Sequence, residues 1–252
     1  MGALAHIFRH PIKAHGFEEL SSVELAANAT MPWDRVWAVA HERSDADGSE
    51  WERCGNFSRG ASSPSLMAVR CAFDEAGGTL ELSHPDLPSL TANPDHDGAR
   101  IVKWAKPIMP ETGRASARVI RAASAAKGQG LTDNPAPYLS ILGLSSLRTL
   151  SQKAGRQLSP MRFRGNLWVE GLGPWEEFEW VDKRIRIGEA EFAVEDRIDR
   201  CTATMANPET GRRDTDVLEI LREGWGHIDF GVFARVITPG RVNVGDTVEV
   251  LG

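Results

Sequence analysis

The run Gly231-Val232-Phe233-Ala234-Arg235-Val236-Ile237, followed by Arg241-Val242-Asn243-Val244 and Thr247-Val248-Glu249-Val250-Leu251, decides the fold class. Apolar and polar residues alternate along each piece, which is the period of a half-buried strand. Pro239-Gly240 and Gly245-Asp246 supply the turns between them. Antiparallel strands must dispose of their edges, and closing into a barrel removes them. The pattern predicts a closing meander in a β-barrel.

The same texture extends upstream. Lys183 to Ile187 and Glu191 to Glu195 flank Gly188 as a tight hairpin, and Asn166 to Glu170 is a further strand. Nearer the N-terminus, strands are predicted over Leu4–Ile12, Val36–Glu42 and Ile101–Ala105. A hairpin joins Ser65–Asp74 to Thr79–Ser83 through Glu75-Ala76-Gly77-Gly78. Residues 84–98, rich in Pro, Asp and Asn, are expected as a surface loop. Short helices are predicted over Tyr138–Leu142, behind the Asp133-Asn134-Pro135 start signal, and from a Ser145-Ser146 cap to about Ala154, stopped by Gly155. Another covers Asp216–Arg222. A composition shift at 106–130 marks a linker between an N-terminal β unit, 1–105, and a C-terminal domain, 131–252. The expectation is a mainly β chain with a few short helices, its barrel domain packed with an N-terminal barrel-like unit.

Composition narrows the function. The 252 residues are 41% apolar and 25% charged, enough to build a core without disulfides. A net charge of −6 argues against a nucleic-acid partner, although local basic clusters can still bind a small anion. No stretch approaches a membrane span, and Met1 to His10 lacks the apolar core of a signal peptide. Met1-Gly2 resembles a myristoylation start, but Ala5 and His6 do not complete it. A cytoplasmic location is expected. Cys54, Cys71 and Cys201 are odd in number and widely spaced, so reduced thiols are expected, with neither a zinc ribbon nor a thioredoxin-type pair.

Chemistry concentrates in two segments. Asp196-Arg197-Ile198-Asp199-Arg200-Cys201-Thr202 leads into Met205-Ala206-Asn207-Pro208-Glu209-Thr210-Gly211. Guanidinium groups beside a cysteine favour its thiolate, which is both nucleophile and soft metal ligand. The alternative is a small buried cysteine beside an Asp199–Arg200 surface pair. In Arg162-Phe163-Arg164-Gly165-Asn166, two arginines one residue apart on extended chain would share a face and grip a phosphate or heterocycle. The alternative there is a solvated strand edge. Lys13 and Arg35 end strands, which is ordinary surface unless something anionic sits there. His6, His10 and His15 do not share a face, and Gly128-Gln129-Gly130 lacks the frame of a dinucleotide loop.

Taken in order, these segments resemble the MOSC family, named for the C-terminal domain of molybdenum cofactor sulfurases. Pro11-Ile12-Lys13 and Asp34-Arg35 resemble the β unit that precedes MOSC in many members. Leu131-Thr132-Asp133 with Pro137-Tyr138-Leu139 resembles its Ser/Thr-Asp segment. Arg162 to Asn166 is similar to Arg-Phe-Arg-Pro-Asn, and Arg200-Cys201 with Asn207 to Gly211 to Arg-Cys followed by Asp-Pro-x-Thr-Gly. Glu176-Glu177, Trp180, Ile187-Gly188, Phe230-Gly231 and Gly245-Asp246 fall in register.

The resemblance implies a molybdenum cofactor in a cleft between the two parts, with Cys201 as catalytic residue and metal ligand. Lys13, Arg35, Thr132, Asp133, Arg164 and Asn166 would hold the pterin and its phosphate, and Asp199 and Arg200 would tune the site. In the amidoxime-reducing branch the chemistry is reduction of N-hydroxylated small molecules, with electrons from a separate protein. The alternative is a sulfur carrier or cofactor-delivery protein, loaded by a cysteine desulfurase. The chain is too short for the pyridoxal-phosphate domain of the long sulfurases, and no iron–sulfur module is expected with it. Three departures stand out: Gly165 for Pro, expected to loosen its loop; Ala14 for Ser, which removes a hydroxyl; and Asn207 for Asp.

Overall fold

The computed structural model describes residues 2–110 and 113–251. Met1, part of the Met1-Gly2 start weighed above, lies outside them, as do Glu111 and Thr112 of the expected linker and the terminal Gly252. The N-terminal part runs β1 (Gly2–Arg9), β2 (Glu18–Leu20), β3 (Ser22–Leu25), β4 (Trp37–His41), β5 (Arg70–Asp74), β6 (Thr79–His84), β7 (Leu87–Ala92), α1 (Gly98–Ala105) and β8 (Ser116–Arg121). There follow β9 (Leu139–Gly143), α2 (Leu144–Lys153), β10 (Leu167–Glu170), β11 (Arg184–Ile187) and β12 (Ala190–Asp199). The chain closes with α3 (Val217–Trp225), β13 (Asp229–Thr238), β14 (Gly240–Asn243) and β15 (Thr247–Val250).

Strands β10-β9-β13-β12-β11-β15-β1 hydrogen-bond in that order, and β10 also pairs with β1, so these seven close into a barrel. Alternation along them turns Leu4, Ile141, Leu167, Phe192, Val194 and Val232 into one buried interior. The barrel is not built from the C-terminal half alone. β1 fills the gap between β10 and β15, pairing Leu4 with Val169 and Ala3 with Thr247. α2 and α3 cover the outside of the wall through Leu147, Leu150, Val217 and Leu221, which pack with Phe163, Trp168 and Phe230. A separate core in the N-terminal part gathers Ile12, Trp37, Leu66, Phe73, Leu80 and Ile101.

Several expectations are corrected. The last three strands do not form a meander. β14 leaves the barrel to pair with β3, while β15 pairs with β11 and β1. Tyr138–Leu142 is not a helix; β9 occupies Leu139–Gly143, buried at every position and parallel to β10. A parallel strand buried on both faces loses the alternation that marks strands. Ile101–Ala105 belongs to α1, where Ile101 and Ala105, four residues apart, are both buried. The stretch 84–98 holds β7, an edge strand on β6, where Pro88 is tolerated because its missing donor faces no neighbour. Residues 106–130 contain β8, which pairs with β4 along Trp37 to His41. The helix near Ser145-Ser146 begins at Leu144, and those two hydroxyls bond to Leu172 and Glu177 instead of capping it.

Candidate functional site

Lys13, Arg35, Thr132, Asp133, Arg164, Asn166, Asp199, Arg200 and Cys201 all line one cavity of about 390 Å³, a size suited to a small-molecule ligand. Its walls come from the turn after β1, the approach to β4, the segment 54–61, the approach to β9, the turn before β10 and the end of β12. A larger, more open groove of about 760 Å³ passes Leu87, Ile108, Met109 and Arg213, and none of these nine residues lines it.

The cations on one wall are built into the framework. Asp34, only 2% exposed, accepts from the backbone N–H of His10 at 2.8 Å and from Arg35 Nη1, and its Oδ1 lies 3.2 Å from His10 Nδ1. Burial pushes the Asp34 carboxyl up, but Arg35 and the His10 bonds outweigh it and hold the group ionised, below the usual carboxylate range. Arg35 Nη2 then donates to the Arg164 carbonyl at 2.9 Å, bracing a residue whose φ of 48° lies in the left-handed region. Arg164 in turn donates to Gly16 O at 3.1 Å. Burial, then Arg35, presses the Arg164 pKa down, and a guanidinium so placed still carries its charge at neutral pH. Lys13 Nζ donates to Leu131 O at 2.8 Å and to Asp133 Oδ1 at 2.5 Å. Burial lowers the Lys13 pKa, and Asp133 opposes that shift.

The thiol side is differently organised. Cys201 is exposed, whereas Cys71 is buried in the N-terminal core, where burial pushes its thiol up. Cys201 opens the helical turn Thr202–Met205, its carbonyl accepting from Thr204 N at 3.2 Å and Thr204 Oγ1 at 2.9 Å. Arg200 is anchored rather than free. Its Nε donates to Phe230 O at 2.8 Å and its Nη1 to Phe163 O at 3.0 Å, with a further short bond from Nη2 to Phe230 O. Burial lowers its pKa, and Cys201 and Asp199 oppose the shift. Asp199, exposed at the end of β12, completes this edge.

Two expected grips differ in structure. Pro160–Phe163 is a helical turn, so Arg162 and Arg164 do not share a face. Arg162 instead donates to Thr204 O, to Met205 O and to Asp214 Oδ1 at 2.7 Å, tying down the loop that starts at Cys201. Asn166 lines the cavity, but its Oδ1 accepts from Ser140 N and Oγ, and its Nδ2 donates to Phe8 O at 3.2 Å, stitching β9 to β1. Thr132 Oγ1 donates to Asn134 O at 2.6 Å, which leaves its oxygen free to accept. His6, His10 and His15 go separate ways, to Glu19, to Asp34 and to Lys13 O. Cys54, Arg59, Tyr138 and Phe233 also line the cavity. They lie outside the two segments that concentrate chemistry, and only Asp34, adjacent to Arg35, carried a signal for the supporting network.

The donor set suits an anionic ligand held through sulfur. Lys13, Arg35, Arg164 and Arg200 face one space with the accessible Cys201 thiol, in a chain whose net charge is −6. Among the described residues, neither Arg164 nor Arg200 pairs with a carboxylate; carbonyl oxygens hold both. Buried positive charge without a protein counter-ion is costly, and an anionic ligand relieves the cost.

The MOSC domain model matches residues 128–249 and the MOSC N-terminal beta barrel domain model matches residues 1–117. Mitochondrial amidoxime-reducing component 1 of Mus musculus is 24% identical, over 100% of this chain and 83% of its own. A molybdenum cofactor sulfurase of Caenorhabditis elegans is 30% identical over 55% of this chain, a match that spans only 19% of the sulfurase. Among solved structures, the YUAD protein of Bacillus subtilis aligns over 99% of this chain and 96% of its own, with 15% identity and a TM-score of 0.45.

Proposed function

The chain belongs to the MOSC-domain family, and from that premise we propose that it binds a molybdenum cofactor and reduces N-hydroxylated compounds with electrons from a separate partner protein. The observation that carries this reading is the meeting of Lys13, Arg35 and Arg164 with the exposed Cys201 thiol in one cavity of an acidic protein. Lys13, Arg35 and Arg164 would hold the phosphate and pterin, Thr132 would accept a hydrogen bond, and Cys201 would ligate the metal. When bound, such a cofactor supplies two-electron oxygen-atom transfer.

The protein's own groups prepare that chemistry. Asp34 keeps the Arg35 guanidinium at the wall, and Arg35 fixes the turn that presents Arg164. Asp133 offsets the cost of burying Lys13, opposing the downward shift that burial imposes on its ammonium group. Arg200, held by two carbonyls, sets a guanidinium beside the Cys201 sulfur that would ligate the metal. Arg162 holds the backbone behind the thiol, which limits its excursions. Asn166 serves by keeping the turn after Arg164 locked to β9 and β1.

The test is the molybdenum content of protein purified from a host that makes the cofactor. Near-stoichiometric metal in the wild type and its loss in Cys201→Ala is the expected result. Metal absent from both proteins would sink stable cofactor binding.

A second reading is favoured by one feature, the exposure of Cys201 at the start of its loop. A thiol so accessible could take a persulfide from a cysteine desulfurase and pass it on. A mass gain of one sulfur at Cys201 after incubation with such an enzyme, without molybdenum in the purified protein, would select this reading.

Among the described residues no helix is long and apolar enough to cross a membrane. We propose a cytoplasmic protein whose partners are the electron donor, or the desulfurase, and a small-molecule substrate.

A further inference from the structure

We infer that Arg59, held by Cys54, forms a second anion subsite on the Cys201 side of the cavity, and that the preferred substrates carry a carboxylate. The substrate assignment rests on the reductase reading above; the anion subsite does not.

Arg59 lines the same cavity as Cys201, yet it belongs to neither of the segments that hold the other cations. Its Nη1 donates to Cys54 Sγ at 3.1 Å. Among the described residues its guanidinium has no carboxylate partner, unlike Arg9, Arg162 and Arg235, which pair with Glu18, Asp214 and Glu195. A thiol is a weak acceptor, so most of the planar donor fork stays available, and a carboxylate would engage it bidentately.

The backbone sets where that charge stands. Ser62 and Ser63 N–H groups both donate to Arg59 O, at 3.1 and 2.9 Å, curling the chain into a tight turn. Arg213 Nη2 clamps the turn by donating to Ala61 O at 2.6 Å. Gly60 lies against the loop that follows Cys201. A Cβ there would come within 2.5 Å of Met67 Sδ and 3.3 Å of Ala203 Cβ. The close approach requires glycine, and it seats Arg59 beside the Thr202–Met205 turn that Cys201 opens. Lys13, Arg35 and Arg164 are joined to one another through Asp34, Leu131 and backbone carbonyls, whereas among the described residues the Arg59 guanidinium donates to Cys54 alone. Two groups of cations held by separate frameworks suit two anionic groups, one on the resident ligand and one on the molecule that reacts beside Cys201.

The test compares binding of benzamidoxime and 4-carboxybenzamidoxime to the purified full chain by titration calorimetry, with molybdenum content measured on the same samples. Wild type is expected to bind the carboxylated compound about tenfold or more tighter than the neutral one, the scale of a charge-assisted pair. Arg59→Met should erase that preference while keeping wild-type metal content, and Arg59→Lys should keep part of it. Equal affinity for both compounds, or no binding of either, would overturn the subsite. Loss of metal together with the preference in Arg59→Met would also overturn it, by making Arg59 a grip on the cofactor. A wild type without molybdenum would count against the reductase reading, while the carboxylate preference would still decide whether Arg59 is an anion subsite.

Discussion

Asp34 is the residue on which the cation wall depends. Its carboxylate faces both the His10 main chain and the Arg35 guanidinium, and through Arg35 it reaches the turn at Arg164. Removing the charge but not the shape should unfasten all three. Asp34→Asn is expected to lose about 3 kcal/mol of stability in urea unfolding, the scale for breaking one side of a buried pair. Anion or cofactor affinity should fall by about tenfold or more, as when a supporting shell is removed. Wild-type stability and affinity in the variant would show that Arg35 positions itself unaided. The residue scale also shows why one expected grip took another role. Arg162 and Arg164 share a motif and both border the cavity, but the helical turn at 160–163 ties one to the backbone of the thiol loop and the other to the turn after β1. Spacing in sequence implies a shared face only where the chain is extended.

At the scale of elements, the departures from the family pattern have local causes. Gly165 does not mark a loose loop. A Cβ at that position would stand 2.2 Å from Leu142 Cδ1, and Leu142 is fully buried in β9. The glycine matches the bulk of its neighbour. Gly165→Ala is therefore expected to cost about 1–3 kcal/mol by overpacking, and Leu142→Val in the same chain should recover part of it. Denaturant midpoints of the two single variants and the double variant measure the coupling; additive losses would show that the two positions do not compete for space. Asn207 has a comparable explanation. Its Nδ2 donates to Asp214 Oδ2 at 3.0 Å, a contact that aspartate would turn into repulsion. Elements with clean alternation or clear caps were legible from sequence, as at β11, β12 and α3, where Asp216 accepts from Glu219 N at 3.0 Å. Those misread were short apolar runs: β9, buried at every position, loses the period that separates strand from helix, and in α1 the apolar stretch Ile101–Ala105 is too short to show it.

At the scale of the molecule, the barrel closes only because the first strand of the chain lies between two of the later ones. The same arrangement buries His10 and His15 where the turn after β1 meets Arg164. Burial, followed by Arg164 and Arg35, holds His10 near a pKa of about 3, and burial, with Arg164 adding to it, holds His15 at about 4. In the unfolded chain both take up protons near 6.5. The unfolded state therefore binds more protons below that pH, and stability is lost as pH falls from 6.5 towards the folded values. Between about pH 6.5 and pH 5 each buried histidine should withdraw about 2 kcal/mol, a window above the range in which Asp34 titrates. Thermal unfolding followed across this range should show the loss. His15→Asn, which can still donate to Lys13 O, should make the decline shallower, and an unchanged slope would remove His15 from the account.

The sequence by itself determined the β-rich class, the family resemblance and the identities of the groups that gather around Cys201, because alternation, caps and short motifs are local properties of the chain. Only the tertiary structure decided which strands pair, that β14 leaves the barrel while β1 enters it, and that Arg59 and Cys54 stand on the cavity wall. It also decided that Arg162 and Asn166 spend their hydrogen bonds on the framework. These outcomes depend on contacts between residues distant in sequence, where packing and the need to satisfy every buried polar group outweigh any preference written into a short stretch.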